Sequence, residues 1–196
     1  MKVSVTSLNH HPRNMEIYTL SNIDDLVQSI SDVGLLSPLV INKKNQVLSG
    51  NRRLSAIRKL GWKNVDVSIV DVDDDEVVSL LIHYNKNRVK STREVINEYR
   101  ALEKIYKKGQ GRRSDLEPLL ETNRGETARD IISKKLGLSS SQVQRLLFID
   151  KEDPDFVDHI DVGTLTVNQA YTALKKRITV TSIISTTRND DSGCIW

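Results

Sequence analysis

Gly50-Asn51-Arg52-Arg53 is the stretch whose residue types and spacing most directly suggest chemistry. The apolar pair Val47-Leu48 leads into Ser49-Gly50, and two arginines follow at once in a segment with helical spacing. Glycine permits a sharp backbone turn and the close approach of a ligand. A helix start presents N–H groups unpartnered within the helix and a partial positive charge, to which Arg52 and Arg53 add full charges. Such a corner suits a chain of phosphates. An ordinary strand-to-helix turn with solvated arginines has the same local pattern, so the rest of the chain must choose between them.

Other stretches offer related groups. His11-Pro12-Arg13-Asn14 holds an arginine behind a proline, which keeps the chain extended or turned there, and Asn85-Lys86-Asn87-Arg88 is a basic, amide-rich break between two helical patterns. Ser140, Ser141, Gln142, Gln144 and Arg145 supply hydroxyls, amides and a guanidinium suited to base edges and phosphates. Arg112 and Arg113 give the loop over residues 107–126 a basic front end, which fits backbone phosphates and a solvated linker equally well. No metal site is expected: His10 and His11 are adjacent, so their side chains diverge, and no further ligand stands at a familiar spacing. Asp73-Asp74-Asp75 precedes a helix, where carboxylates cap N–H groups and gain from the dipole.

Composition sets the frame for these groups. The 196 residues are 38% apolar and 28% charged with a net charge of +3, which describes a polar globular chain of one large or two small domains. No apolar run approaches the length that crosses a bilayer, and the first residues lack the apolar core of a signal peptide, so a cytoplasmic protein with no membrane partner is expected. Cys194 is the only cysteine, which excludes a disulfide framework.

The elements follow from periodicity. Residues 1–20 begin β-prone. Ser21 with Asp24 reads as a capping box before Ile23, Leu26, Val27 and Ile30, with Gly34 as the stop. Leu35 to Ile41 enters a strand with Pro38 at its start, and Asn42 to Asn45 turns it into Gln46-Val47-Leu48 as a hairpin. A helix from about Asn51 to Leu60 buries Leu54, Ile57 and Leu60; Val65 to Val72 alternates as a half-buried strand. Helices are expected from Glu76 to about Tyr84 and from about Ser91 to Lys108, the second opened by Ser91 and Glu94. Thr127 to Leu136, the break Gly137-Leu138-Ser139, and Ser140 to Ile149 then give a helix–turn–helix layout, with Val143, Leu146 and Leu147 as core anchors of its second helix. A short helix from Asp155 and a last one from about Val167 to Lys176 complete that domain. The Thr-, Ser- and Ile-rich remainder from Ile178 lacks helical periodicity and reads as an edge strand or a disordered tail. The fold class is α+β: a small α/β domain over 1–90, a connecting helix and basic loop over 91–126, an all-helical domain over 127–176 and a tail over 177–196.

This order of parts resembles the ParB family of chromosome- and plasmid-partition proteins, including phage-borne relatives. Gly50-Asn51-Arg52-Arg53-Leu54-Ser55-Ala56 is similar to the family's GERRxxA box, His11-Pro12-Arg13-Asn14 to its early proline–arginine box, and Asn85-Lys86-Asn87-Arg88 to its ENxQR box. The resemblance implies a ParB/sulfiredoxin-like domain that binds CTP with Mg2+ and hydrolyses it slowly, with two such domains closing as a clamp on DNA. Carried onto this chain, Gly50, Arg52 and Arg53 would hold the triphosphate, Asn85 and Arg88 would line the nucleotide site, Arg13 would assist, and Asn51 counts among the nucleotide-binding residues. It further implies double-stranded DNA, a homodimer and a partner ATPase as partners, and a place on the nucleoid or a plasmid. Asn51 replaces the glutamate of the box and Ser55 a common arginine, and Tyr84 stands where the family has an acidic residue near the metal, which weakens the case for magnesium. The resemblance leads to the expectation that the family's carboxy-terminal dimerisation domain is absent or reduced to the last twenty residues. Two other readings stay open: a nuclease or nucleotide-hydrolysing member of the fold delivered to DNA by its helical domain, and a plain helix–turn–helix regulator.

Overall fold

The structure is a computed structural model and describes residues 1–20, 23–74, 76–109 and 126–190, with the side chains of 108, 109 and 182–190 excepted. The chain divides into two compact units: Met1–Val89 with the described part of Asn97–Glu121, and Lys90–Ile96 with the described part of Thr122–Trp196.

In the first unit, β1 (Lys2–Ser4) runs through a single 3-10 turn (Val5–Ser7) into β2 (Asn9–His10) and α1 (Pro12–Ile17), followed by α2 (Asp24–Val33). β3 (Leu39–Ile41), β4 (Gln46–Ser49), α3 (Asn51–Lys59), β5 (Asn64–Ile69) and α4 (Val77–Tyr84) come next. The strands form one mixed five-stranded sheet in the order β1-β5-β3-β4-β2. β3 and β4 pair as the antiparallel hairpin expected from their turn, where Asn45 takes φ 57° and the Asn42 side chain accepts from the N–H groups of Lys44 and Gln46. β2 lies parallel to β4, placing His10 opposite Val47.

β4 matters most for the corner it leads into. Successive strand residues point to opposite faces. Val47 accordingly joins Val5, Leu8, Leu39, Ile41, Leu54 and Ile57 in one core, while Leu48 joins Val77 and Leu81 in another. The strand is thus packed on both faces, which fixes the direction in which the chain leaves it. α3 buries Leu54, Ala56 and Ile57; Leu60, expected inside, is only partly covered.

Three expectations need correction. Pro12 does not hold an extended segment: it opens α1, where proline's missing N–H is harmless and its fixed φ already suits a helix. α2 starts at Asp24 with Ile23 as its uncapped N-terminal neighbour, and Ser21 lies outside the described residues. The last helix does not stop at Lys176, as described below.

In the second unit, the first residues of α5 (Thr92–Gly109) associate with α6 (Ala128–Leu136), α7 (Ser140–Glu152), α8 (Asp155–Asp161) and α9 (Val167–Asp190). Ile96, Leu146, Ile149, Val157, Ala170 and Leu174 form the core. Ser91 and Glu94 cap α5 as expected, and the Asp161 carboxylate also accepts from the N–H groups of Thr92 and Arg93. α9 continues through the segment read as a strand or a disordered tail. Its β-branched residues weaken helix propensity, but the hydroxyls of Thr179 and Thr181 bond back to the carbonyls of Lys175 and Arg177, one turn earlier. Arg177 is also tied to Asp153 at 2.8 Å. Residues 191–196, like Arg112 and Arg113, lie outside the described residues.

Candidate nucleotide site and candidate DNA-contacting helices

Gly50 stands between β4 and α3 with φ 96° and ψ 25°, a left-handed conformation that side-chain-bearing residues rarely adopt. A Cβ placed there would meet Leu39 Cδ2 at 2.5 Å and Arg53 Nη2 at 2.9 Å. No side chain caps the helix N-terminus it opens. The N–H groups of a helix's first turn have no acceptor within the helix. Arg53 folds back across this corner and donates from Nη1 to the carbonyls of Ser37 at 2.6 Å and Pro38 at 3.2 Å. Burial pulls its guanidinium below the usual arginine range. Arg52 is partly buried beside it.

Asn51 is buried, and its Oδ1 lies 2.8 Å from His10 Nδ1 while its Nδ2 donates to the Val47 carbonyl at 3.3 Å. A glutamate could not donate to that carbonyl; the amide at this position serves both partners. His10 is the residue just before the proline–arginine box, so this bond ties the box to the helix start. His11 caps α1 by accepting from the Arg13 N–H at 3.2 Å, and burial pushes its imidazole below the ordinary histidine value. The Arg13 side chain is partly exposed and pairs with Glu16 at 2.9 Å.

The far end of α1 meets the third box. Asn85 caps α4 through its N–H and also donates from Nδ2 to the Leu81 carbonyl at 2.8 Å. Arg88 reaches the Thr19 carbonyl at 3.3 Å and lies over the Tyr18 ring, 5.4 Å from its centroid. Tyr18 in turn donates to Glu98, both groups being buried, and Asn97 donates to the Ile17 carbonyl. α1 is thus the shared spacer: His10 at its head bonds the α3 corner, and Tyr18 at its foot carries Arg88. Tyr84 at the end of α4 is partly exposed and edge-on to His83.

In the second unit the hairpin of α6 and α7 is built from local rules. Thr127 with Asp130 and Ser139 with Gln142 form capping boxes. Gly137 at φ 70° ends α6, with its own N–H and that of Leu138 bonding back to Lys134 and Ser133. Ser140 donates to Asp130, and this bond with those from Thr127 holds that carboxyl down at about 2. Ser140 and Gln142 are therefore engaged in holding the hairpin, whereas Ser141 and Gln144 are exposed. Arg145 is half-buried and donates to Asn168 of α9 at 2.6 Å. Val143 and Leu146 are buried as anchors, with Ile149 more completely enclosed than Leu147.

Sequence reading missed His10, Tyr18, Glu98, Asn168 and Tyr171. For Tyr18 and Glu98 no local signal exists, since 80 positions separate them. Two clefts, of about 480 and 490 Å3, lie around Trp62 and Asn64 and are not lined by the candidate residues. Among the described residues no three His, Cys, Asp or Glu side chains gather as metal ligands, and no helix is long and apolar enough to cross a membrane.

Known proteins agree with this architecture. Residues 1–86 match the family described as ParB N-terminal domain. The chain is 29% identical over 167 residues to a Campylobacter jejuni protein described as "Probable chromosome-partitioning protein ParB", covering 79% of this chain and 60% of that one. It is 31% identical over 107 residues to the nucleoid occlusion protein of Bacillus cereus, covering 53% of this chain and 36% of that one. The chain therefore spans less than two thirds of the length of either relative. A pNOB8-like ParB N-domain superposes with a TM-score of 0.64 at 17% identity, covering 93% of this chain and 81% of that one. Caulobacter crescentus ParB, C-terminally truncated and complexed to the centromeric parS site, gives 0.53 at 17% identity, covering 89% and 84%. Those two likenesses concern the fold; the family match assigns residues 1–86 to the ParB N-terminal domain, and the chain as a whole is similar in sequence to chromosome-partitioning and nucleoid occlusion proteins.

Proposed function

We propose that this chain is a ParB-like, sequence-specific DNA-binding protein whose amino-terminal domain binds a nucleoside triphosphate, CTP by preference. Binding gates dimerisation and closure on DNA, in partition of a plasmid, chromosome or phage genome or in regulation. The observation that carries the nucleotide part is the α3 corner: a left-handed glycine, an N-terminus without a side-chain cap, and Arg53 resting on two carbonyls beside it. Phosphate oxygens form stronger charge-assisted bonds with a guanidinium than neutral carbonyls do. A bound triphosphate would therefore draw Arg53 from Ser37 and Pro38. The preference for cytosine rests on the family resemblance. Magnesium fits less well, because Tyr84 offers a phenol where the resemblance expects a carboxylate.

DNA is assigned to the exposed side of α7, with Ser141, Gln144 and Arg145 as contacts and Ser140 and Gln142 fixing the helix start. The relatives' names, chromosome partitioning and nucleoid occlusion, and the parS complex of the Caulobacter protein support this assignment.

Calorimetric titration of CTP, ATP and GTP into the full chain, with and without duplex DNA, tests the reading. CTP is expected to bind saturably and most tightly, and Arg53→Ala to abolish that binding while leaving DNA affinity in place. No saturable binding of any nucleotide would leave a DNA-binding regulator alone. Nucleotide turnover or DNA nicking that disappears in Arg53→Ala would favour the enzyme reading instead.

A further inference from the structure

The α6–α7 hairpin does not by itself explain how Arg145 is held. Its Nη1 donates to Asn168 Oδ1 at 2.6 Å, and its guanidinium lies 5.8 Å from the centre of the Tyr171 ring. Tyr171 is braced by Phe148, edge-on at 5.1 Å, and carries the Lys175 ammonium at 5.1 Å. Asn168 is not needed to cap α9: Thr166 and Gln169 already form a reciprocal pair at that helix start. Its amide is spent on Arg145 instead.

Charge points the same way. Residues 162–189 contain no Asp or Glu, while residues 150–161 contain six. Asp150 and Asp158 are paired with Arg93, Asp153 with Arg177, and Asp161 caps α5, so this acidic stretch is largely occupied within the unit. Asn168 and Lys175 are exposed on α9; Asn168 bonds Arg145 directly, and Lys175 shares the Tyr171 ring with it. An arginine reads guanine through two parallel bonds, which demands a defined orientation of its fork. A guanidinium already held on two sides loses less rotamer freedom on binding and keeps further donors for a ligand.

We propose that α9 forms a second wall of the DNA-contacting surface, in which Asn168 and Tyr171 hold Arg145 in its reading pose and Lys175 takes a backbone phosphate. This rests on α7 facing DNA. Asn168 and Tyr171 are positioning residues, acting through Arg145; Lys175 touches DNA itself.

The probe is a duplex selected from a random pool with the full-length wild-type chain, together with its single-base variants, and binding is followed by anisotropy at several salt concentrations. Asn168→Ala is expected to bind the selected duplex about threefold to tenfold more weakly. It should lose discrimination at the base pairs where Arg145→Ala loses it, and nowhere else. The double variant should match Arg145→Ala, because the two residues act as one unit. Lys175→Ala should weaken binding to all duplexes alike and lower the salt slope by about one. Unchanged discrimination in Asn168→Ala, or losses that simply add in the double variant, would overturn the proposal while leaving α7 as the reading helix. If Arg145→Ala itself keeps full affinity for the selected duplex, α7 does not face DNA and both ideas fall. The discrimination ratio is independent of the active fraction, and matched melting curves keep a folding defect from imitating the result.

Discussion

Gly50 and Gly137 both sit at a helix end in a left-handed conformation, at φ 96° and φ 70°, yet they answer to different demands. Around Gly137 a Cβ would meet nothing within 4 Å, so only the backbone conformation asks for glycine. At Gly50 the backbone asks for it and the packing does too, because Leu39 and Arg53 fill the space a side chain would need. The first is a helix stop written in local chemistry. The second is a tertiary joint, where a strand packed on both faces delivers a helix N-terminus to a fixed place.

Replacing each glycine by alanine is the most forceful way to break this comparison. The left-handed conformation costs an alanine about 1–2 kcal/mol at either site. Gly50→Ala adds overpacking against Leu39 of about 1–3 kcal/mol. Urea unfolding of the full chain should therefore show Gly50→Ala losing clearly more stability than Gly137→Ala, about 2–5 against about 1–2 kcal/mol. Equal losses would mean that the α3 corner is no tighter than an ordinary helix stop.

The same contrast explains what could be read in the sequence. The hairpin of α6 and α7 was legible nearly residue by residue, because its caps act over three positions and its glycine over one turn. The β3–β4 hairpin, the motif helix and the alternation of β5 were legible for a similar reason. The pairing of His10 with Asn51 spans 41 positions and that of Arg88 with Thr19 spans 69, so no window contains both partners. The sequence named the three boxes but not α1 as the spacer between them. Pro12 fits a loop or a helix start equally well in sequence, because the two placements look alike until the following residues coil. α9 lacks an apolar stripe beyond Leu174, so periodicity alone ends it near Lys176 although the helix runs on to Asp190.

A gentler probe removes one hydroxyl from each unit. Tyr18→Phe deprives Glu98, which is only 1% exposed, of a donor to its carboxylate. Removing a donor from a buried charged group costs about 1–3 kcal/mol. It should also loosen the ring under Arg88, so amides of α1 should exchange faster in Tyr18→Phe. Ser140→Ala removes a comparable donor from Asp130, but at a partly exposed site that water reaches; the loss should be smaller. If Ser140→Ala destabilises as much as Tyr18→Phe, burial is not what separates the two networks.

The smallest expected effect comes from pH, and it separates the units by the titrating group. His11 has its folded-state value depressed below 6.5, chiefly by burial, so the unfolded chain takes up a proton more readily than the folded one. The stability linked to His11 is full above pH 6.5 and declines as pH falls through and below that value. Asp130 is held down to about 2 from 3.8 by bonds from Ser140 and Thr127, so its contribution is full above 3.8 and disappears as pH falls toward 2. Unit 1 should therefore begin to weaken in mildly acidic solution, while the α6–α7 hairpin keeps the Asp130 contribution until the solution is strongly acid. Urea unfolding followed by Trp62 emission in a Trp196→Phe background reports the first unit; helical circular dichroism follows the whole chain. His11→Gln should flatten the Trp62 profile between pH 7 and 5 and leave the strongly acid limb of the circular-dichroism profile, whereas Asp130→Asn should flatten that acid limb and leave the Trp62 profile unchanged. A Trp62 profile unaltered by His11→Gln would show that α1 tolerates a charged imidazole at its cap, and the α1 spacer would then be looser than its buried contacts imply.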